Sequence, residues 1–267
     1  MILFDLAPWK EIALETSSVL IAEVVAGALL GVVAGSFIAT VAVRWPTGDS
    51  ALGGRSRCDG CGNVIPAHSL LPLISYARLR GRAGCCGSRI DPVHPLVEAA
   101  GGTIGGLSAL LPLPFAAAGA LFGWLLLTLA IIDLRSFRLP TAVVTLVAIS
   151  GLGASFLMGS PALLPAIVGM GTGFCSLKTL QLAYRWTRGR EGLGSGDPKL
   201  FGAIGAWVGW QPLPLVLLAA ALLGLGWAIL VRLSGRDITL SDRLPLGTLL
   251  AATAWPTWLW TVGRVTL

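Results

Sequence analysis

Long stretches without a charged residue constrain this chain more than any other feature. Leu213–Val231 runs through leucine, valine, alanine and glycine with no acid and no base, and Phe115–Ile132 does the same. A run of about 20 apolar residues matches the hydrocarbon thickness of a bilayer when wound as a helix. In that solvent the backbone polar groups must be satisfied within the segment, as an α-helix does. Apolar windows of this kind cover Val19–Val43, Pro95–Leu111, Phe115–Ile132, Thr141–Met158, Leu163–Ala183, Leu200–Trp210, Leu213–Val231 and Leu244–Val262. The sixth is short, and must extend back past Lys199, tilt, or be sheltered. The composition agrees: 55% hydrophobic and 12% charged, with mean hydropathy +0.81, against about 25% charged in soluble domains. The start, MILFDLAPWKEIALETS, carries acids and no basic cluster before its first apolar run, so the first span is expected to be retained rather than cleaved as a signal.

The net charge of +6 does not indicate nucleic acid, because few aromatics lie among the arginines and the bases fall between apolar runs. Of the nineteen Lys/Arg residues, sixteen lie in four connections, Arg44–His94, Asp133–Pro140, Tyr184–Lys199 and Arg232–Arg243. Lys10 and Arg264 lie on the opposite side, and Lys178 falls within the fifth span near its basic end. Short basic connections stay cytoplasmic, so eight spans place these four inside and both termini outside. Proline-rich turns at Leu111–Pro114, Ser160–Pro165 and Gln211–Pro214 join the spans on the other side.

This topology brings two acids to one depth. Asp133 ends the run LFGWLLLTLAII as the third span arrives inside, and Asp197 precedes the sixth span as it leaves. Carboxylates at a bilayer boundary are costly and mark function by default. Two in close proximity share a single proton, since like charges in a low dielectric cannot both ionise. One ionised and one protonated carboxyl can hydrolyse a peptide bond: the first takes a proton from water, the second protonates the carbonyl oxygen. Asp197, between Gly-Ser-Gly and Pro198, has the pattern of a helix N-cap with proline at N1, which favours the anion. Asp133 closes a helix, where the macrodipole opposes it. Asp197 is thus expected as the base and Asp133 as the acid. Gly194 and Gly196 leave room for a substrate backbone beside the acid. Taken singly, Asp197 could be only a cap and Asp133 only a polar stop beside Arg135.

The first basic connection holds four of the five cysteines. Cys58-Asp59-Gly60-Cys61-Gly62 has the CxxC-G pattern of a zinc knuckle. In place of a second CxxC the chain has Ala83-Gly84-Cys85-Cys86-Gly87. Adjacent cysteines point in different directions, so they are less suited to one ion. Zinc held by Cys58, Cys61, Cys85 and Cys86 is the expected use. Cys175 reads as a small buried hydrophobe. His68 and His94 read as surface or helix-start residues, since neither is at ligand spacing from a cysteine pair.

Glu191-Gly192-Leu193-Gly194-Ser195-Gly196-Asp197-Pro198-Lys199-Leu200 resembles the glycine-rich aspartate motif of the type IV prepilin peptidases, which are GxGD membrane aspartic proteases. Ile132-Asp133 with Leu139-Pro140 resembles that family's first catalytic segment. Gly35-Ser36-Phe37 with Arg44 and Pro46, Pro95-Leu96-Val97-Glu98 and Leu244-Pro245-Leu246-Gly247 resemble its first, second and last spans, although Ala39 stands where the family often has asparagine. The resemblance implies that Asp133 and Asp197 are the catalytic dyad, with Gly194, Gly196 and Lys199 in the active-site loop. Leu79-Arg80-Gly81-Arg82 resembles the flank of the family's two CxxC pairs. Cys86 then takes the place of the last cysteine, Ala83 stands at the usual third, and Cys85 is displaced by two. The resemblance also implies methylation of the new N-terminus with S-adenosylmethionine. Arg44–His94 itself contains no glycine-rich nucleotide fingerprint.

The expected protein is all-α: a polytopic membrane bundle of about eight transmembrane helices with a small zinc-ribbon-like cytoplasmic insertion. Residues 1–43 form the first segment and span, 44–94 the cysteine-containing loop, and 95–267 the peptidase core. Resemblance implies cleavage of type IV prepilins or pseudopilins, in the bacterial inner membrane, with the site facing the cytoplasm. Glu191, Asp237 and Asp242 could attract a basic leader, although solvated charge explains each. The partners are prepilins or pseudopilins and the lipid bilayer, not nucleic acid. A peptidase-only enzyme, with Ala83 marking a degenerate methyltransferase loop, is one alternative. An ion-coupled transporter is another, but it would call for internal repeats and broken midplane helices, and no repeat is seen.

Overall fold

The computed structural model describes residues 7–48, 56–66, 69–189, 192–235 and 244–266. His68, Glu191, Asp237 and Asp242 lie outside them. The described residues are helical, with two isolated β-bridges and no longer strand. Helix α1 is Ala7–Arg44, ending in a 3-10 turn at Trp45–Thr47; α2 is Ile74–Arg78, α3 Val93–Ser108, α4 Leu113–Ser136 and α5 Thr141–Met158. Helices α6 Leu163–Arg188, α7 Asp197–Val208, α8 Leu213–Leu233 and α9 Leu246–Thr266 complete the order.

Each of the eight apolar windows contains a helix. Among the described residues, five helical stretches are long and apolar enough to cross a membrane: Ser17–Arg44 within α1, and α4, α5, α6 and α8. Helix α3 has 16 residues and α7 only 12, about 18 Å at 1.5 Å per residue for α7. The short sixth window does extend back past Lys199, to Asp197. It is also sheltered, for every residue of α7 except Lys199 is buried. A helix apolar on all sides belongs inside protein, and α7 is the core around which its unit is built.

The chain divides into two compact units, Met1–Ser36 with Ser56–Ala120, and Phe37–Arg55 with Leu121–Leu267. In the first, α1 and α3 approach at backbone distance. A Cβ on Gly35 would lie 2.6 Å from the Val97 carbonyl oxygen, so close packing accounts for this glycine. In the second unit, the Trp207 indole of α7 stacks on Phe122 of α4, with centroids 4.5 Å apart and planes at 10°. Trp258 of α9 meets both rings edge-on. Trp207 Nε1 donates to the Val147 carbonyl at 2.8 Å, which satisfies the one polar atom that this burial would otherwise strand.

Candidate active site

Helix α4 ends at Ser136, whose hydroxyl donates back to Ile132 O at 2.7 Å. Phe137 follows with φ +52° and donates its N–H to Asp133 O at 2.8 Å, a left-handed closure of the helix. Asp133 is thereby held one turn from the end of α4, buried at 5% exposure. Its Oδ2 accepts two donors from Thr248, the backbone N–H at 2.9 Å and the hydroxyl at 3.2 Å. The Thr248 N–H lies in the first turn of α9, where helix donors have no intrahelical partner.

Asp197 opens α7 and is also buried, at 7%. Gly196, which precedes the helix, is its N-cap residue. The N-cap expected at Asp197 is thus displaced by one residue. The carboxylate turns back instead, and its Oδ2 accepts the Gly194 N–H at 3.0 Å. Gly194 O in turn accepts the Asp197 N–H at 3.3 Å, so the motif forms a closed turn around its own acid.

The two acids, 64 positions apart, are close enough to interact electrostatically. Leu139 shows how closely their segments approach. A Cβ on Gly196 would lie 2.9 Å from Leu139 Cβ, and one on Gly247 would lie 3.0 Å from Leu139 Cδ2 and 2.9 Å from Asp133 Oδ2. A Cβ on Gly194 would lie 2.9 Å from Asp197 Oδ2. Gly194 and Gly196, expected to leave room for substrate, border the chain's own Asp197 carboxylate and Leu139, and Gly247 borders Asp133 and Leu139. Lys199 is exposed on α7, two residues beyond Asp197. Thr248, Gly247 and Leu139 were not singled out by their chemistry, although Gly247 and Leu139 stand in the quoted motifs. Asp133 and Asp197, charges embedded in apolar sequence, were the legible part.

The assignment of base and acid treated each aspartate on its own helix only. Thr248 supplies Asp133 with donors from the start of α9, opposite in sense to the α4 terminus. That asymmetry therefore no longer distinguishes the two.

In the first unit, the cysteine segment folds into two matching turns. Cys58 N–H donates to Asn63 O and Gly62 N–H to Cys58 O, both at 2.8 Å; Ala83 N–H donates to Ser88 O and Gly87 N–H to Ala83 O, again at 2.8 Å. Gly62 and Gly87 take φ +72° and +71°, a conformation natural to glycine. Bridges Arg57–Val64 and Arg82–Arg89 close the two turns. Ala83 thus occupies the position of Cys58, and Cys86 that of Cys61.

Cys85 nevertheless joins the cluster. The four sulfurs lie within 4.8 Å of one another, with Cys61–Cys85 at 3.4 Å and Cys58–Cys86 at 3.8 Å. Tetrahedral zinc with bonds of about 2.3 Å places its sulfurs about 3.8 Å apart, so these residues fit that ion. The backbone N–H of Gly60, with that of Cys61, brings the Cys58 thiol down to about 6 despite burial. Hydrogen bonding with Cys61, then Cys58, pushes Cys85 up to about 12. Ser88 lowers Cys86. His94 Nε2 sits 3.8 Å from Asp59 Oδ2, in the first turn of α3, and is not among the cluster.

Residues 120–229 match the model of the type IV leader peptidase family, and residues 29–111 match that of the bacterial peptidase A24 N-terminal domain. A prepilin leader peptidase/N-methyltransferase of Aeromonas hydrophila is 36% identical over 215 residues, 77% of this chain and 71% of that protein. Proteins of the same name from Pseudomonas putida and Dickeya chrysanthemi are 35% and 38% identical, over 77% and 73% of this chain and 72% and 67% of their own. No solved structure matches the chain. These matches, over both the helical core and the cysteine-bearing N-terminal part, show that the chain belongs to the type IV leader peptidase family.

Proposed function

We propose that this protein is a membrane aspartic endopeptidase that removes the basic leader of type IV prepilins or pseudopilins and methylates the new N-terminus. The observation that carries the peptidase reading is the convergence of two buried carboxylates from separate helices. Asp133 is held by Thr248, Asp197 by Gly194, and the charge of Asp133 acts on Asp197. With one proton between them, the ionised carboxylate takes a proton from water as its oxygen attacks the scissile carbonyl carbon. The protonated partner gives its proton to the carbonyl oxygen. Collapse of the tetrahedral intermediate breaks the C–N bond, and the proton gained from water goes to the leaving amine. Gly194 and Gly196, in the loop before α7, and Lys199, in its first turn, border this reaction.

The basic connections support a position for the pair at the cytoplasmic boundary of the membrane, where a substrate with a basic leader and an apolar stem would present its junction; family membership supports the bacterial inner membrane. The eight-span count and the division at residues 43 and 94 belong to this same reading. Cys58, Cys61, Cys85 and Cys86 would hold zinc, which supplies a structural crosslink when bound.

S-adenosylmethionine is the methyl donor implied by family resemblance. Among the described residues no strand leads into a glycine-rich loop of the kind that holds a nucleotide. Ala83 supports a second reading, that of a peptidase without methyl transfer.

One reconstitution tests these readings, with the full chain, a prepilin and S-adenosylmethionine. Asp133→Asn and Asp197→Asn are expected to abolish cleavage, measured as the loss of the shortened product. Cleavage that survives either substitution sinks the dyad. Cleavage without methyl incorporation selects the second reading.

A further inference from the structure

The Gly194 N–H that meets Asp197 belongs to the peptide joining Leu193 and Gly194. The carbonyl of that same peptide, Leu193 O, accepts from Gln181 Nε2 at 3.1 Å, and the same nitrogen lies 3.3 Å from Gly194 O. Gln181 Oε1 accepts in turn from the Lys178 ammonium at 2.9 Å. Chemistry fixes the orientation of the amide. An ammonium only donates and carbonyls only accept, so the oxygen must face Lys178 and the NH2 must face the loop. Gln181 is 9% exposed on a helix otherwise suited to lipid, where an unpartnered amide would be costly. Here its oxygen and nitrogen are both used. Lys178 and Gln181 stand three residues apart, on one face of α6.

We propose that Gln181 is a positioning residue for Asp197, with Lys178 holding its amide in the working orientation; this rests on reading Asp197 as one of the two proteolytic carboxylates. Four groups lie in series: the Lys178 ammonium, the Gln181 amide, the Leu193–Gly194 peptide and the Asp197 carboxylate. Donation into one side of an amide strengthens donation from the other. The cation on α6 therefore sharpens the Gly194 N–H toward Asp197 Oδ2 without touching the acid. The chain also restrains backbone freedom. Gly192, Gly194 and Gly196 give the loop a wide choice of conformations, and the two bonds from Gln181 select one. Asp197, whose carboxylate accepts the Gly194 N–H of that loop, is aimed by it.

The test uses the full chain in detergent with a prepilin substrate, with kcat and KM measured separately. Gln181→Glu keeps the shape and the contact with Lys178 but cannot donate to the loop carbonyls. Its kcat is expected to fall about 10- to 100-fold with KM changed less than about threefold, the mark of a misplaced reacting group. Lys178→Met is expected to lower kcat about three- to tenfold, and Lys178→Arg, which still donates, to stay within about twofold of the parent. Should Gln181→Glu fail to give a monodisperse protein, the Lys178 pair carries the test. Parent-like kcat in Gln181→Glu, or equal activity in the Met and Arg variants, overturns the proposal. Asp197→Asn is assayed alongside. If it cleaves normally, the dyad reading falls and the positioning role falls with it. If it is dead while Gln181→Glu is normal, only the positioning role falls.

Discussion

Asp133 Oδ2 takes two donors from one residue, Thr248, through backbone and hydroxyl. The same hydroxyl lies 2.9 Å from Ala130 O, so one proton serves two acceptors. Thr248→Val removes that proton while keeping the size and the N–H. Loss of one such bond is worth about 0.5–1.5 kcal/mol, so prepilin cleavage should slow by roughly two- to tenfold, read as kcat with an unchanged unfolding midpoint. An unaltered rate would assign the hydroxyl to packing α4 against α9 instead. Gly247→Ala should be harsher. Its Cβ would arrive 2.9 Å from Asp133 Oδ2 and 3.0 Å from Leu139 Cδ2, close enough to push the carboxylate off its Thr248 donors. A displaced carboxylate costs on the order of 100-fold in turnover, and the variant should remain folded. Both acids were legible because a charge at the end of an apolar run has few other uses. Their donors were not, because Thr248 is 115 residues from Asp133 and an ordinary helix residue by type. The helix-end argument for the protonation roles has the same limit in reach, since the donors from α9 lie far away in sequence.

At the scale of elements, α6 and α7 meet through glycine. A Cβ on Gly173 would lie 2.7 Å from the Phe201 carbonyl oxygen, and one on Gly151 of α5 would lie 2.6 Å from Trp207 Cδ1. Gly171 and Gly153, two residues away on the same helices, have nothing within 4 Å. Gly173→Ala and Gly151→Ala should therefore destabilise by about 1–3 kcal/mol through overpacking, seen as lower thermal midpoints in detergent. Gly171→Ala and Gly153→Ala should leave the midpoint level or raise it slightly, since alanine favours helix by up to about 1 kcal/mol. Equal effects in the two pairs would deny that close approach sets the packing of α7. The apolar windows located every one of these helices, because length and hydropathy are local properties. The shelter of α7 was open in sequence and became definite only through Gly169, Gly173 and Gly151, which read equally well as lipid-facing. The reason lies in periodicity: a helix apolar all round does not announce which side meets protein.

For the whole molecule, the two compact units separate the chemistry. Asp133 and Asp197 lie in one, and the four-cysteine cluster lies in the other. The bridges and turn hydrogen bonds put Ala83 where Cys58 stands in the matching turn, yet Cys85 supplies the fourth sulfur. Sequence could show the displacement but not whether the turn could absorb it, since that depends on the direction of the Cys85 side chain. The geometry yields a pair of expectations for the purified full chain. Cys85→Ser should lose most of its bound zinc, measured by elemental analysis. Ala83→Cys in that background should restore it, because the turn presents position 83 as its partner presents Cys58. Failure of the double variant to recover metal would mean that the cluster depends on Cys85 itself and not on the symmetry of the turns. Acid should release the ion in a defined sense. Cys58, lowered from 9.0 to about 6 by the Gly60 and Cys61 N–H groups, is largely thiolate at neutral pH and contributes little to the protons that zinc displaces there. Cys85, raised to about 12 by its bond with Cys61, must surrender a proton to bind at any ordinary pH. Zinc uptake should therefore release protons at pH 7 and tighten about tenfold per pH unit for each proton displaced. Chelator competition at two pH values measures that slope, and a flat result would remove the thiols from the site. Asp133→Asn should retain the full zinc content throughout, because its carboxylate belongs to the other unit.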